Sequence, residues 1–323
     1  MHWRALFAAS ALWSTATTAL PSPADPIPNL NTEIHTRELD SNIKRSSQPN
    51  PVSKNTIWID PTLKDPLWLK YGLNASAEYK YFHEPGRDDI LGHYDTRFFT
   101  SPVDDASRSE TLTHMIRAYL NFFNENELET WIAHGTLLGW WWNGRILPWD
   151  WDMDTQVPDT TLAYLADHYN GTVVEYTAPD SREKRQYLLD VNPWSRQRER
   201  GQGHNIIDAR WIDVDTGLYI DITGLSRLEP DTHPDIWQCK NFHKYRIGDL
   251  YPLRKTSFEG VQANVPFGYD LVLMEEYSDK ALINTKFHNH TWFPELAEWI
   301  SDDIIAKLTV KLSESESDER QYE

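Results

Sequence analysis

Three aspartates separated by single residues, Asp150, Asp152 and Asp154, have the types and spacing best suited to chemistry in this chain. They close the stretch HGTLLGWWWNGRILPWDWDMDTQV, residues 134–157. Their alternation with Trp149, Trp151 and Met153 has the period of a β-strand. It predicts a strand over 149–157, ended by Pro158, with the carboxylates on one face and a buried aromatic face behind them. Like charges so placed repel one another unless a cation sits among them, and a hard divalent ion with oxygen ligands is the simplest neutraliser. Asp152 and Asp154 are the expected ligands, and Asp150 has a supporting part. A further carboxylate, Asp221, lies between Ile220 and Ile222 on another predicted strand, where a charge needs a partner or a metal. It is the natural third ligand, with Asp208 and Asp213 on the preceding strand as alternatives. Upstream, Gly135-Thr136 reads as a strand entering a tight turn and a helix start, whose free N–H groups suit a phosphate. A metal-holding strand beside such a turn points to phosphoryl transfer from a nucleotide-type donor. A glycosidase would instead need two carboxylates facing each other across a sugar, about 5 to 9.5 Å apart.

The elements that must position these residues follow from periodicity and turn chemistry. Residues 107–124 carry apolar side chains at helical spacing, with Ser107 and Glu110 at capping-box positions and with His114 and Arg117 expected on the surface. A strand over 130–133 leads into a short helix over 137–142, broken by Asn143-Gly144. A second helix spans 160–169. Strands are expected over 172–177 and 186–191, then a hairpin of 206–214 and 218–225 around Asp215-Thr216-Gly217. Another hairpin lies within 249–266, and a final helix over 293–312. Residues 68–99 have no clean period, and Arg87, Asp88, Asp89, His93 and Asp95 read there as a solvated loop. The loop 194–204 carries Arg196, Arg198 and Arg200; it is open to two readings, an exposed loop or a lid contacting phosphates.

Composition bounds the function. The formal net charge is −18 over 323 residues, which makes nucleic acid a poor partner. The 15 Trp and 15 Tyr point first to core packing and second to platforms for sugar rings. Residues 1–20 have the pattern of a secretory signal peptide, and 21–56 that of a disordered linker. The folded domain is expected over 57–312, with an acidic disordered tail over 313–323. No segment supplies the roughly 20 apolar residues of a firm membrane span. Sequons at Asn74, Asn170 and Asn289 fit a secretory route, Golgi lumen or secreted. Cys239 is the only cysteine, so no internal disulfide forms; it reads as a buried small residue, and with His243 it is too little for zinc.

HGTLLG followed by RILPWDWDMD resembles the LicD/fukutin-related family. The likeness continues through YLLDVNP, IDARWID, GLYIDITGL and DLYPLRKTSFEGVQANVP, about residues 130–266. Within the family it is similar to fungal mannosylphosphate transfer proteins. The resemblance implies an α+β, polymerase-β-type nucleotidyltransferase fold, a mixed sheet with flanking helices. It implies Mn²⁺ or Mg²⁺ held by Asp152, Asp154 and Asp221, with Gly135 and Thr136 as the donor turn. Arg145 and Arg210, inside the matched segments, are further candidates for donor contact. The implied reaction moves mannose-1-phosphate from GDP-mannose to a mannose hydroxyl of a protein-linked glycan, releasing GMP. Partner mannosyltransferases are implied as well.

Overall fold

The computed structural model describes residues 79–229 and 231–321. The expected leader, linker and domain start, and the Asn74 sequon, lie outside them. The first long element is α1 (Asp105–Glu125). Its N-cap is Asp104, whose side chain accepts a hydrogen bond from the Ser107 amide at 2.8 Å. The helix therefore starts ahead of the expected capping box, and Ser107 is a donor rather than the cap. His114, expected on the surface, is buried, and Arg117 donates to the Glu259 carbonyl at 2.7 Å. The reason is that α1 is buried on more than one face. Tyr119 and Phe122 pack on Trp211 of the sheet, while the helix end meets the β9–β10 hairpin described below.

In chain order there follow β1 (Trp131–Ile132), α2 (His134–Asn143), β2 (Met153–Pro158), α3 (Asp159–His168), β3 (Thr172–Thr177), β4 (Lys184–Val191), β5 (Ala209–Asp213) and β6 (Tyr219–Glu229). Next come β7 (His233–Gln238), β8 (Lys244–Arg246), α4 (Ile247–Leu250), and the hairpin β9 (Arg254–Phe258) and β10 (Val261–Val265). The chain continues through α5 (Tyr269–Tyr277), α6 (Lys280–Ile283), β11 (Lys286–Phe287), β12 (His290–Phe293), β13 (Glu298–Ser301) and α7 (Asp302–Gln321). The main sheet runs β1-β2-β6-β5-β4-β3, with β7 on the far end of β6 and β8 beside it. β2 and β6 pair in parallel, and the other pairs are antiparallel. This is an α+β fold with a mixed sheet and flanking helices.

The hairpins and short strands of the centre match expectation closely, because each is bounded by a Gly, Asn or Pro. Gly144 closes α2 at φ 74°, in the left-handed region where a side chain would be strained. The C-terminal part differs. Residues 293–312 are not one helix: β12 and β13 form a hairpin in which Trp292 faces Trp299, and the helix begins only at Asp302. Apolar spacing at 296, 299 and 300 suited either period, and cross-strand aromatic pairing decided it. The backbone of α7 then continues helical past Ser313 to Gln321. Asn170 is buried, and its side chain accepts from the Val191 amide at 2.9 Å, so that sequon is structural. Asn289 is exposed between β11 and β12. Among the described residues no helix is long and apolar enough to cross a membrane.

Candidate functional site

β2 begins at Met153, not Trp149. Asp150 and Asp152 therefore lie in the turn ahead of the strand, and only Asp154 stands on it. The turn is fixed by the Asp150 amide bonding the Leu147 carbonyl at 3.0 Å, right after Pro148. Alternation of residue types thus continued beyond the segment that pairs. Gly135 and Thr136 lie in the first turn of α2 rather than before it. His134 opens that helix at φ 49°, a strained left-handed conformation for a residue with a side chain. The Thr136 hydroxyl accepts the Asp154 amide at 2.8 Å, so Thr136 is buried and braces the strand instead of facing a ligand. Gly135 does face the site: a methyl there would come within 3.4 Å of Asp150 Oδ2.

Asp154 and Asp221 are directly registered neighbours on the parallel pair β2 and β6. They share one face, with backbones about 4.8 Å apart. Arg210 is registered with Asp221, and Asp190 with Arg210, so a row of charge crosses four strands as Asp154, Asp221, Arg210, Asp190. The two ends of this row differ. Arg210 Nε donates to Asp221 at 2.8 Å and Nη2 to Glu84 at 2.8 Å, and its guanidinium lies 3.6 Å from the ring centre of Tyr219. Arg97 joins Asp95 (2.8 Å) and Asp190 (2.6 Å). Residues 79–99 thus cover the row; Asp95 is buried and paired, not part of a solvated loop. At the other end, no hydrogen-bond donor among the described residues reaches the carboxylates of Asp150, Asp152 or Asp154. The nearest basic nitrogen to Asp152 among the described residues is His93 Nε2, at 3.8 Å.

Electrostatics follow from this imbalance. Burial, and then the Asp152 charge, push Asp150 up to about 7. Asp154 is raised well above the usual carboxylate range by the same causes, burial first. Burial takes Asp221 up to about 6 against the opposing pull of Arg210. Next to Asp154 lies an ordered network that the sequence did not reveal. His134 Nδ1 pairs with Glu276 Oε2 at 2.8 Å, and Tyr245 donates to Glu276 Oε1 at 2.8 Å. Gln156 donates to the Tyr245 hydroxyl at 3.2 Å. The Glu276 bond and the Asp154 charge raise His134 although burial works the other way.

Three cavities border the aspartates, two of them on the Tyr277 side. A cavity of about 560 Å³ is lined by Asp154, His134, His243, Lys244 and Glu276. One of about 820 Å³ is lined by Gly135, Asp150, Asp152 and a group of aromatic residues. Tyr277 lines both. An all-oxygen set of carboxylates without donors has the chemistry of a hard-cation site. Among the described residues, however, no three His, Cys, Asp or Glu side chains are gathered closely enough to hold an ion as they stand. The fit therefore lies in the donor type and the strand register, with side-chain rotation needed to close a ligand shell.

The remaining sequence candidates are engaged elsewhere. Arg210 is buried as the counter-ion of Asp221, so it is closed to a donor phosphate. Arg145 is exposed and pairs with Glu298 at 2.6 Å, beside the third cleft, which it lines together with Arg108, Arg117 and Asp150. Asp208 is buried, bridging Arg198 (2.9 Å) and Lys240 (2.8 Å). Asp213 binds the amides of its own turn. Of the loop arginines, Arg196 pairs with Asp167 and Arg198 with Asp208, which is structural. Arg196 and Arg198 also line a small cavity with Asp159 and Thr160, and Arg200 lies 4.8 Å from the ring centre of Phe242, a residue of the cavity of about 560 Å³. Cys239 is buried, 3.4 Å from His243 Nδ1.

A mixed sheet whose one parallel pair brings carboxylates together in front of a short helix is a nucleotidyltransferase-type arrangement. The chain matches, over residues 127–267, the family described as LicD/FKTN/FKRP, nucleotidyltransferase domain. It is 40% identical over 177 residues to Mannosyltransferase regulator 4 of Saccharomyces cerevisiae, which covers 54% of this chain and 14% of that protein. It is also 40% identical over 171 residues to Mannosyltransferase regulator 14 of the same yeast, covering 49% of this chain and 18% of that protein. The chain thus spans less than a fifth of the length of either relative.

Proposed function

We propose that this protein transfers a sugar phosphate, mannose-1-phosphate from GDP-mannose, to a hydroxyl of a mannose-containing glycan. The observation that carries it is the register of Asp154 with Asp221, next to Asp150 and Asp152, with no hydrogen-bond donor among the described residues on the side chains of Asp150, Asp152 or Asp154. In this reading Asp152, Asp154 and Asp221 hold a divalent ion, Mn²⁺ or Mg²⁺. When bound, such an ion supplies neutralisation of the donor's diphosphate charge. The acceptor oxygen forms a bond to the phosphorus that carries mannose, the bond from that phosphorus to GMP breaks, and the hydroxyl proton passes to a carboxylate. Asp150 suits that last part, raised by burial toward neutrality and set over Gly135 at the helix start. Arg210 orients Asp221, and Thr136 fixes the backbone of Asp154. The names of the yeast relatives favour a second reading, a regulator of mannosyltransferases that binds the same ligands without turnover. The reading includes a secretory-pathway location, supported by the exposed sequon at Asn289.

The test is direct. Protein given GDP-mannose, Mn²⁺ and a mannose oligosaccharide is expected to release GMP, and chelation to stop it. Release no greater than that of Asp152→Ala would leave the regulator reading.

A further inference from the structure

The larger of the two cavities lined by Tyr277 differs in character from the smaller one. Beside Asp150 and Asp152 it is walled by Trp142, Trp149, Trp151, Phe287 and Trp299. The rings pack edge to face: Trp149 meets Trp299 at 5.0 Å and 83°, and Trp142 meets Trp299 at 4.8 Å and 71°. Arg108 covers Trp151, with its guanidinium 4.2 Å from the ring centre, and so fixes that wall. Two nitrogens of the lining, His93 Nδ1 and Trp299 Nε1, are buried with no hydrogen-bond partner among the described residues. A buried polar atom left so is costly, and a hydroxyl-bearing ligand in the cavity could supply a partner. Lys280 is the one Lys or Arg of the lining, against Asp89, Asp150 and Asp152. A free phosphate would be repelled there, while sugar hydroxyls can donate to the carboxylates and sugar C–H faces can lie on the indoles. The outer wall is built by residues 277–299, beyond the 127–267 segment that matches the family.

We propose that this aromatic cavity is the subsite for a neutral oligosaccharide, which it seats with one hydroxyl at Asp150 and Asp152. The proposal deepens the transferase reading and rests on it for the part the sugar plays, as the acceptor. Tyr277, which lines both cavities, would divide acceptor from donor.

Binding alone tests it, using the full chain in chelator so that no cation takes part. Tryptophan fluorescence and calorimetry with an α-linked mannose oligosaccharide are expected to show saturable binding. Trp149→Leu and, separately, Phe287→Ser are expected to weaken it by about tenfold, as loss of an aromatic contact does. Phe287 is largely exposed, so its variant folds even if that of Trp149 does not. GDP binding in Mn²⁺ is expected to be unchanged in both. No oligosaccharide binding, or binding indifferent to both substitutions, overturns the subsite. Loss of GDP binding in the two variants instead assigns the cavity to the donor and overturns it equally. Oligosaccharide binding with these sensitivities, in a protein that releases no GMP, upholds the subsite and removes the transferase reading.

Discussion

Asp190, Asp95 and Asp221 each accept a hydrogen bond from a guanidinium, whereas Asp154 on β2 and Asp150 and Asp152 in the turn before it accept none from the described residues. The first group is closed by residues 79–99 folding over the strands. The second opens onto three cavities. Charge that is paired and sealed holds the fold together; charge that is crowded and left open is a cost to the fold, sustained where a ligand can relieve it.

Neutralising one member at each end should give opposite signs. Asp154→Asn is expected to lower GMP release by on the order of 10³-fold, as loss of a metal-holding group in a transfer centre does. In metal-free buffer the same change should raise stability, by about 1 kcal/mol, because it relieves like-charge crowding. A lower urea midpoint would erase the contrast between the two ends. At the closed end, Arg97→Ala leaves Asp190 buried without its guanidinium and Asp95 with only Arg210, 4.0 Å away. It should cost about 3 kcal/mol in urea unfolding while activity per folded molecule is kept. An unchanged midpoint would mean that the seal contributes nothing.

The His134–Glu276 pair lies between the two ends. His134 is raised, since the Glu276 bond and Asp154 outweigh burial, so its contribution is full below its ordinary 6.5 and is lost as pH rises through the folded value. Glu276 is lowered, since the His134 bond and charge outweigh burial, so its contribution is present above its ordinary 4.5 and is lost as pH falls through the folded value. The stability difference between the protein and Glu276→Gln should therefore peak between those two values, at about 1.5 kcal/mol, and shrink on either side. A flat difference across pH would show that the pair is not ionic. The smallest effect is expected at the surface pair: Arg145→Ala should shift stability by less than about 0.5 kcal/mol and GMP release by less than about twofold. A larger drop in release would return Arg145 to the donor site.

The site was partly legible. Asp154 and Asp221 carried a strong signal because a carboxylate inside an apolar β-branched strand has few structural uses, and the hairpin turn set the register of β5 and β6. Asp150 and Asp152 were found for a reason only half right: their alternation is real, but the turn after Pro148 takes them off the strand. Arg210 was drawn to the right place and given the wrong task, since its residue type could not tell whether it would meet a phosphate or a neighbouring aspartate. Glu276, Tyr245 and Tyr277 left no trace, because nothing local distinguishes an acid or a tyrosine on a short helix or strand from a solvated one.

By itself the sequence determined the local matters: which central segments form strands and helices, which turns separate them, and which side chains carry charge that a core would not tolerate. Those depend on residues within a few positions of each other, and turn residues report them. Tertiary structure alone decided which charges were answered. Arg97, Glu84 and Glu276 reach the row from segments far away in sequence, and a partner supplied across that distance is set by packing, which no spacing along the chain encodes.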